Sequence, residues 1–289
     1  RKILTRISPH AILFLEKLRV IPGFGISMGV TLTILSIVVL IPLASLVVYT
    51  AQLSPSEIIE TLTRPRVLAS FRVSLLTAFI ASAINAVMGV ILAWVLVRYK
   101  FPLKRILDGM IELPFALPTA VAGIALTSLT ADTGLIGKFF ARFGIHIAYT
   151  RIGITVALVF IGIPFVVRTV QPVLEKLDLS YEEAAGVLGA SRTKIFWSVV
   201  FPEIRPAVIT GFGLAFGRCL GEYGSVVFIA GNQPFKTEIT PLIIMSELQE
   251  YDYASATAIA LLMLIVAFLI LFLSNWVQAR SSKKLKGGS

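Results

Sequence analysis

Six stretches of the chain are predominantly apolar, and polar segments of very different character separate them. An α-helix needs about 20 consecutive apolar residues to cross the hydrocarbon of a bilayer. The runs at 26–49, 73–97, 107–129, 152–170, 207–228 and 254–276 reach about that length, which predicts an all-α integral membrane protein with six transmembrane helices. The third run contains Pro114 and Pro118, one turn apart and just before Thr119. Breaks of this kind are tolerated where the freed carbonyls face protein or a wet cavity, so a packing kink and a pathway wall are both open. Residues 131–149 carry glycines and are half polar, which predicts a surface loop with a short helix; 242–253 reads as half-immersed or lying on the surface. Ahead of the first run, residues 1–25 are basic and mildly amphipathic, as an interfacial helix on an anionic leaflet would be.

Between the fourth and fifth runs lies a polar insert, Ser180–Pro202, with the sequence SYEEAAGVLGASRTKIFWSVVFP. Ser180 followed three residues later by Glu183 has the spacing of a capping box. In that motif the hydroxyl and the carboxylate each accept from the other residue's amide. Ala184, Ala185, Val187 and Leu188 continue a short helix, and Gly189 can leave it in the left-handed conformation that ends helices. Ser191 is placed to cap a second helix starting at Arg192. The insert is either a connector that returns the chain to the bilayer or a knob that docks in a partner's groove.

Composition agrees with a membrane chain: of 289 residues 56% are hydrophobic and 15% charged, and the mean hydropathy is +0.88, outside the soluble range. The net charge of +10 does not indicate nucleic acid, because its placement follows topology. Connecting segments on one side hold 18 Lys and Arg against seven on the other, with Arg218 left inside a span. The positive-inside rule then puts both termini and the polar insert in the cytoplasm. No apolar stretch near Arg1 resembles a cleavable signal, and the basic tail 280–289 closes on Gly287–Ser289, which reads as a linker.

Candidate chemistry is sparse. Cys219 is the single cysteine and excludes an internal disulfide. His10 and His146 are far apart and neither has a second metal-type ligand near it in sequence, so no metal is expected. Gly134-Leu-Ile-Gly-Lys138 is too short for a phosphate-binding loop and is followed by Phe139. Any ATP-driven work must therefore have its ATP bound by another polypeptide. No Ser/His/Asp or Cys/His set is assembled, which argues against an enzyme. In the fifth run Gly213, Gly217 and Gly221 form a small-residue stripe suited to close helix packing. On a neighbouring face Arg218 and Glu222 stand one turn apart, with Ser225 at the next step. An ionised pair in a bilayer must be paired or wet, so this one either pins packing or lines a polar path. Asn85 in the second run is a lone amide, expected to hydrogen-bond between helices.

Glu183-Ala184-Ala185, three residues, Gly189, nine residues, then Val199-Val200-Phe201-Pro202 resembles the EAA loop of ABC importer permeases. Val199 and Phe201 stand where Ile and Leu are usual. LPFALPTAVAG (113–123), PFVVRTVQPVLE (164–175), LGEYGSVVFIAGN (220–232) and FKTEIT (235–240) are similar to the CysT-type permeases of sulfate/thiosulfate importers, over roughly 22–279. The 220–232 block is shared with the molybdate branch. The resemblance implies the type I ABC importer permease fold, with six transmembrane helices and a cytoplasmic coupling helix at 178–203 that sits in an ATPase cleft. It implies Glu182, Glu183, Ala184, Ala185, Gly189, Ser191 and Arg192 at that contact. Arg218, Glu222, Ser225, Thr119 and Asn85 are the pathway candidates. The implied partners are a related second permease (CysW-like), two ATPase subunits (CysA-like) that hold ATP and magnesium, and a periplasmic sulfate-binding protein. The implied site is the inner membrane, with a plastid envelope left open. A molybdate or tungstate importer and, in a different class, an ion-coupled secondary anion carrier are the alternatives.

Overall fold

The computed structural model describes residues 24–286; the expected interfacial helix at 1–25 lies almost wholly outside them, as do Gly287–Ser289. All regular structure among the described residues is helical. The spans are α1 (Phe24–Thr50), α3 (Pro65–Arg98), the pair α4 (Lys104–Ala116) and α5 (Thr119–Thr130), α7 (Arg151–Lys176), α9 (Arg192–Leu220) and α12 (Tyr253–Lys286). Shorter helices link them: α2 (Pro55–Thr63), α6 (Leu135–Ala141), α8 (Leu179–Val187), α10 (Val226–Ile229) and α11 (Thr240–Gln249).

Two of the expected spans differ in form. The third is not one helix: α4 and α5 meet at Leu117–Pro118 with a bend of 113°. Pro118 cannot continue the hydrogen-bond ladder and pushes Leu117 out of the helical region, to φ −84° and ψ 134°. The fifth begins earlier and ends earlier than 207–228, because α9 runs unbroken from Arg192 and stops at Leu220. A π-helical turn at Phe196–Val200 precedes Pro202, and another at Ser36–Leu40 precedes Pro42 in α1. A widened turn relieves the clash between a proline ring and the carbonyl four residues back, so both helices pass their prolines.

The core is the parallel pair α3 and α7 with α9 laid against both. Small residues recur three and four apart along α3, at Ala78, Ala81, Ser82, Asn85, Gly89 and Ala93, and all are buried. Without a hydrophobic force between helices in lipid, close backbone approach supplies the attraction. A Cβ on Gly89 would fall 2.6 Å from Val166 Cγ1 and one on Gly211 2.9 Å from Val166 Cα. Two buried hydroxyls of α3 satisfy themselves on their own helix, Thr77 on the Val73 carbonyl at 2.8 Å and Ser82 on Ala78 at 2.7 Å, whereas Ser74 reaches across to Thr240, donating to its hydroxyl at 3.2 Å and accepting from its amide at 2.8 Å.

Polar contacts mark the two ends of the bundle. At one end Arg98 Nη2 donates to the Leu177 carbonyl (3.2 Å) and to Glu182 Oε1 (2.7 Å). At the other Arg66 grips the buried Glu238 with two bonds of 2.8 and 2.6 Å, and Arg151 Nε donates to the Lys236 carbonyl at 2.7 Å. Since α4 leaves from the Arg98 end and α7 starts at the Arg151 end, the bent pair joins the two and counts as one broken crossing. By contrast, α1 buries only Thr50 and rests on α12 through its second half.

Candidate functional site

The polar insert forms an elbow at the Arg98 end. Its first helix, α8, is capped by Asp178, not by Ser180: the Ser180 amide donates to Asp178 Oδ1 at 2.9 Å. The capping box expected between Ser180 and Glu183 does not form, because the helix starts one residue before Ser180, at Leu179. That bond and the Ser180 hydroxyl hold the Asp178 carboxyl below its usual range. The exit is as expected. Gly189 has φ +83°, its amide donates to the Gly186 carbonyl at 2.9 Å, and the Ala190 amide donates to Ala185 at 3.1 Å. These two bonds are the Schellman pattern. Ser191 caps the start of α9, accepting from the Lys194 amide at 3.4 Å, with Arg192 as its first residue.

Nothing in α8 is buried. Glu182 faces inward to Arg98, while Glu183 and Ala184 stand exposed and Ala185 is half-buried. At the tip Val187 and Leu188 are each 88% exposed, an apolar pair carried on a rigidly capped turn. Arg98 was legible in sequence only as one more cytoplasmic charge. Its role as the strut of the elbow comes from α3 ending beside Leu177.

The second set of candidates lies where two broken helices meet. Beyond Leu220 the chain leaves the helix, so Ser225 is not one helical step beyond Glu222 as expected. Glu222 is 2% exposed and turns back to serve three groups. Its Oε2 pairs with Arg218 Nη1 at 2.6 Å, while Oε1 accepts from the Ser225 amide at 2.9 Å and hydroxyl at 3.0 Å. The start of α5 packs on this loop. A Cβ on Gly123 would lie 2.5 Å from the Ser225 carbonyl oxygen, and one on Gly224 would collide with Thr119 Oγ1. Thr119, Arg218, Glu222 and Ser225 thus share one neighbourhood, in which the Arg218 side chain is 36% exposed.

Asn85 is not in it. The amide is fully buried between α3 and α7, packed on Gly162 near Cys219. Contrary to expectation it makes no hydrogen bond among the described residues. Gly213 is buried, Gly217 faces Leu271, and Gly221 opens on an apolar crevice between α1, α11 and α12. His146, expected to lack a ligand-type neighbour, has Asp132 at 2.9 Å, but no third such group joins them among the described residues.

Residues 85–287 match the family described as "Binding-protein-dependent transport system inner membrane component". The chain is 49% identical over 269 residues to the sulfate transport system permease protein CysT of Escherichia coli (strain K12), covering 93% of this chain and 97% of that one. It is 47% identical to the protein of that name from Synechocystis sp. (strain ATCC 27184 / PCC 6803 / Kazusa), covering 86% and 87%. Among solved structures it is similar to a bacterial alginate ABC transporter in complex with an alginate pentasaccharide-bound periplasmic protein. There the TM-score is 0.73 at 17% identity, over 90% of this chain and 95% of that one, which carries the fold, that of a type I ABC importer permease; multi-pass placement in the inner membrane rests on the family match and the apolar helices. A polar elbow between long apolar helices, a broken crossing beside it and a match over most of the chain agree, and the chain belongs to the family of binding-protein-dependent transport system inner membrane components.

Proposed function

We propose that this chain is one permease subunit of an ATP-driven sulfate or thiosulfate importer. The observation that carries the reading is the elbow: a short helix capped at both ends that holds Val187 and Leu188 out of the protein. An exposed apolar pair held on an ordered turn has the form of an anchor for a partner's groove. A CysA-like ATPase supplies that groove, binds ATP and magnesium, and does the hydrolysis, so that this chain is non-catalytic. Glu183, Ala184, Ala185, Gly189 and Arg192 shape or line the contact; Glu182 and Ser191 hold it in form. A CysW-like permease completes the pathway and a periplasmic sulfate-binding protein delivers the anion.

The elbow faces the cytoplasm, since Arg98, Lys100, Lys104, Arg105, Arg192 and Lys194 gather at its end of the bundle, and both termini share that side. Near the break, Arg218 and the first amides of α5 favour an anion, while Glu222 limits how positive the path becomes. Thr119 and Ser225 add hydroxyls there; Asn85 acts through the core. ATP binding closes the ATPases, draws the two elbows together and opens the permease outward.

The test is purification in mild detergent with its co-purifying proteins, followed by reconstitution and uptake competed by sulfate, thiosulfate and molybdate. Preferential competition by molybdate would move the chain to the molybdate or tungstate branch. Uptake by the chain alone, without ATPase subunits, would make it an ion-coupled carrier.

A further inference from the structure

Arg168 sits on α7 two turns before its end, and counting charges places it simply among the cytoplasmic cations. In the structure it faces neither water nor lipid alone. Its Nη1 donates to Asp108 Oδ1 and to Gln171 Oε1, both at 2.7 Å. Its Nη2 donates to the Asp108 carbonyl at 3.2 Å and pairs with Glu112 Oε1 at 2.7 Å. Asp108 and Glu112 are one turn apart on α4, so a single guanidinium binds the same face of that half-helix at three points. Arginine suits the position because its planar fork presents donors in fixed directions. Gln171 continues the chain of contacts to Glu175 at 3.0 Å, next to the end of α7 and the elbow.

Below this clamp the α4–α7 contact is apolar and thin: Phe115 meets Phe165 edge-on with centroids 5.2 Å apart, and Ile111 is buried with Val166 and Val170. Of the helices, α7 is the one that α4 packs on most extensively. At its far end α4 reaches Leu117–Pro118, the bend from which α5 meets Gly224 and Ser225, the latter bonded to Glu222. The elbow follows α7 after only Leu177 and Asp178, so a displacement of the elbow moves α7 directly; it reaches α4 across the α4–α7 contact, beside the longer route through Glu182, Arg98 and the turn out of α3.

We infer that Arg168 is the positioning residue that carries elbow movement to α4 and so to the wall of the anion path. This rests on the importer reading. An apolar contact between Phe115, Ile111 and α7 can slide, whereas a guanidinium bound to two carboxylates and a carbonyl fixes register. Loss of the clamp lets ATP be hydrolysed while α4 lags, which is uncoupling and not unfolding.

The test uses the complete importer, with its ATPase, second permease and binding protein, in liposomes. The readout is anions imported per ATP hydrolysed. Arg168→Ala should lower this ratio by roughly fivefold or more, with assembly and thermal midpoint retained. Arg168→Lys, which keeps the charge but lacks the fixed planar fork, should fall between. The exchange pair Arg168→Glu with Asp108→Arg should recover part of the loss. Should Arg168→Ala fail to assemble, Asp108→Ala with Glu112→Ala removes both carboxylate partners from the α4 side and should give the same fall. The inference is overturned if the ratio stays at the wild-type value in these variants, or if uptake and hydrolysis decline in proportion along with the thermal midpoint. A wild-type complex that imports nothing on ATP refutes the importer reading instead, so the two failures are distinct.

Discussion

Gly189→Val changes the elbow without touching any neighbour. A Cβ at this position would have nothing within 4 Å, so steric crowding by surrounding residues contributes nothing. The whole effect comes from φ +83°. An L-residue there costs about 1–2 kcal/mol, and a β-branched side chain lies at the upper end because its χ1 freedom is already restricted. Since about 1.4 kcal/mol is a factor of ten in population, the turn bonds from Gly189 to Gly186 and Ala190 to Ala185 should be populated roughly tenfold less against other loop shapes. No burial in α8 resists that shift. In liposomes containing all importer subunits, anion uptake should drop about tenfold while ATP hydrolysis persists and membrane insertion is normal. Gly189→Asn is the control, because Asn visits the left-handed region readily and should retain most of the uptake. Wild-type uptake in the Val variant would refute the reasoning. An Asn variant as poor as Val would show that side-chain size at the partner contact matters, not backbone conformation.

Gly123→Ala must open the α5 contact with Ser225 by roughly 1 Å, since the new Cβ starts 2.5 Å from a backbone oxygen. Overpacking of this kind costs about 1–3 kcal/mol, to be read as a lowered thermal midpoint with reduced uptake; unchanged values for both would mean the two broken helices do not meet tightly. Asn85→Leu should raise the midpoint by removing two unsatisfied buried amide atoms, each costing about 1–3 kcal/mol, and a fall would reveal a partner for the amide in the assembled importer. For Asp178, the depressed carboxyl pKa means the cap contributes in full above the ordinary Asp value of about 3.9. Its contribution is lost as pH falls through the lower native value. Pepsin cleavage at the exposed residues Leu179 to Leu188 should therefore increase over that interval in the native chain but stay flat in Asp178→Asn; parallel profiles would assign the acid response to another group.

Much of this protein was legible in its sequence, because lipid imposes a one-dimensional rule. Backbone groups in hydrocarbon must bond within their own helix, so apolar run length alone found the six crossings, though it misplaced both ends of the fifth and missed the bend of the third, and the glycine in the EAA spacing located the end of α8. What sequence could not decide was every choice that depends on a neighbour. Asp178 and Ser180 are both competent caps, and Asp178 was used because α7 runs on to Lys176 and the next helix opens at Leu179. Pro118 marked a break, but its angle was fixed only when α5 seated Gly123 on Ser225. Pro202 should have stopped a helix, yet a π turn carried α9 through it. Arg98, Arg168 and Arg218 are equivalent letters in a charge count. Tertiary structure made one a strut, one a clamp and one the part-exposed partner of a buried carboxylate, because a guanidinium's role is set by the acceptors that fold around it, and those come from 60 to 84 residues away in two of the three cases.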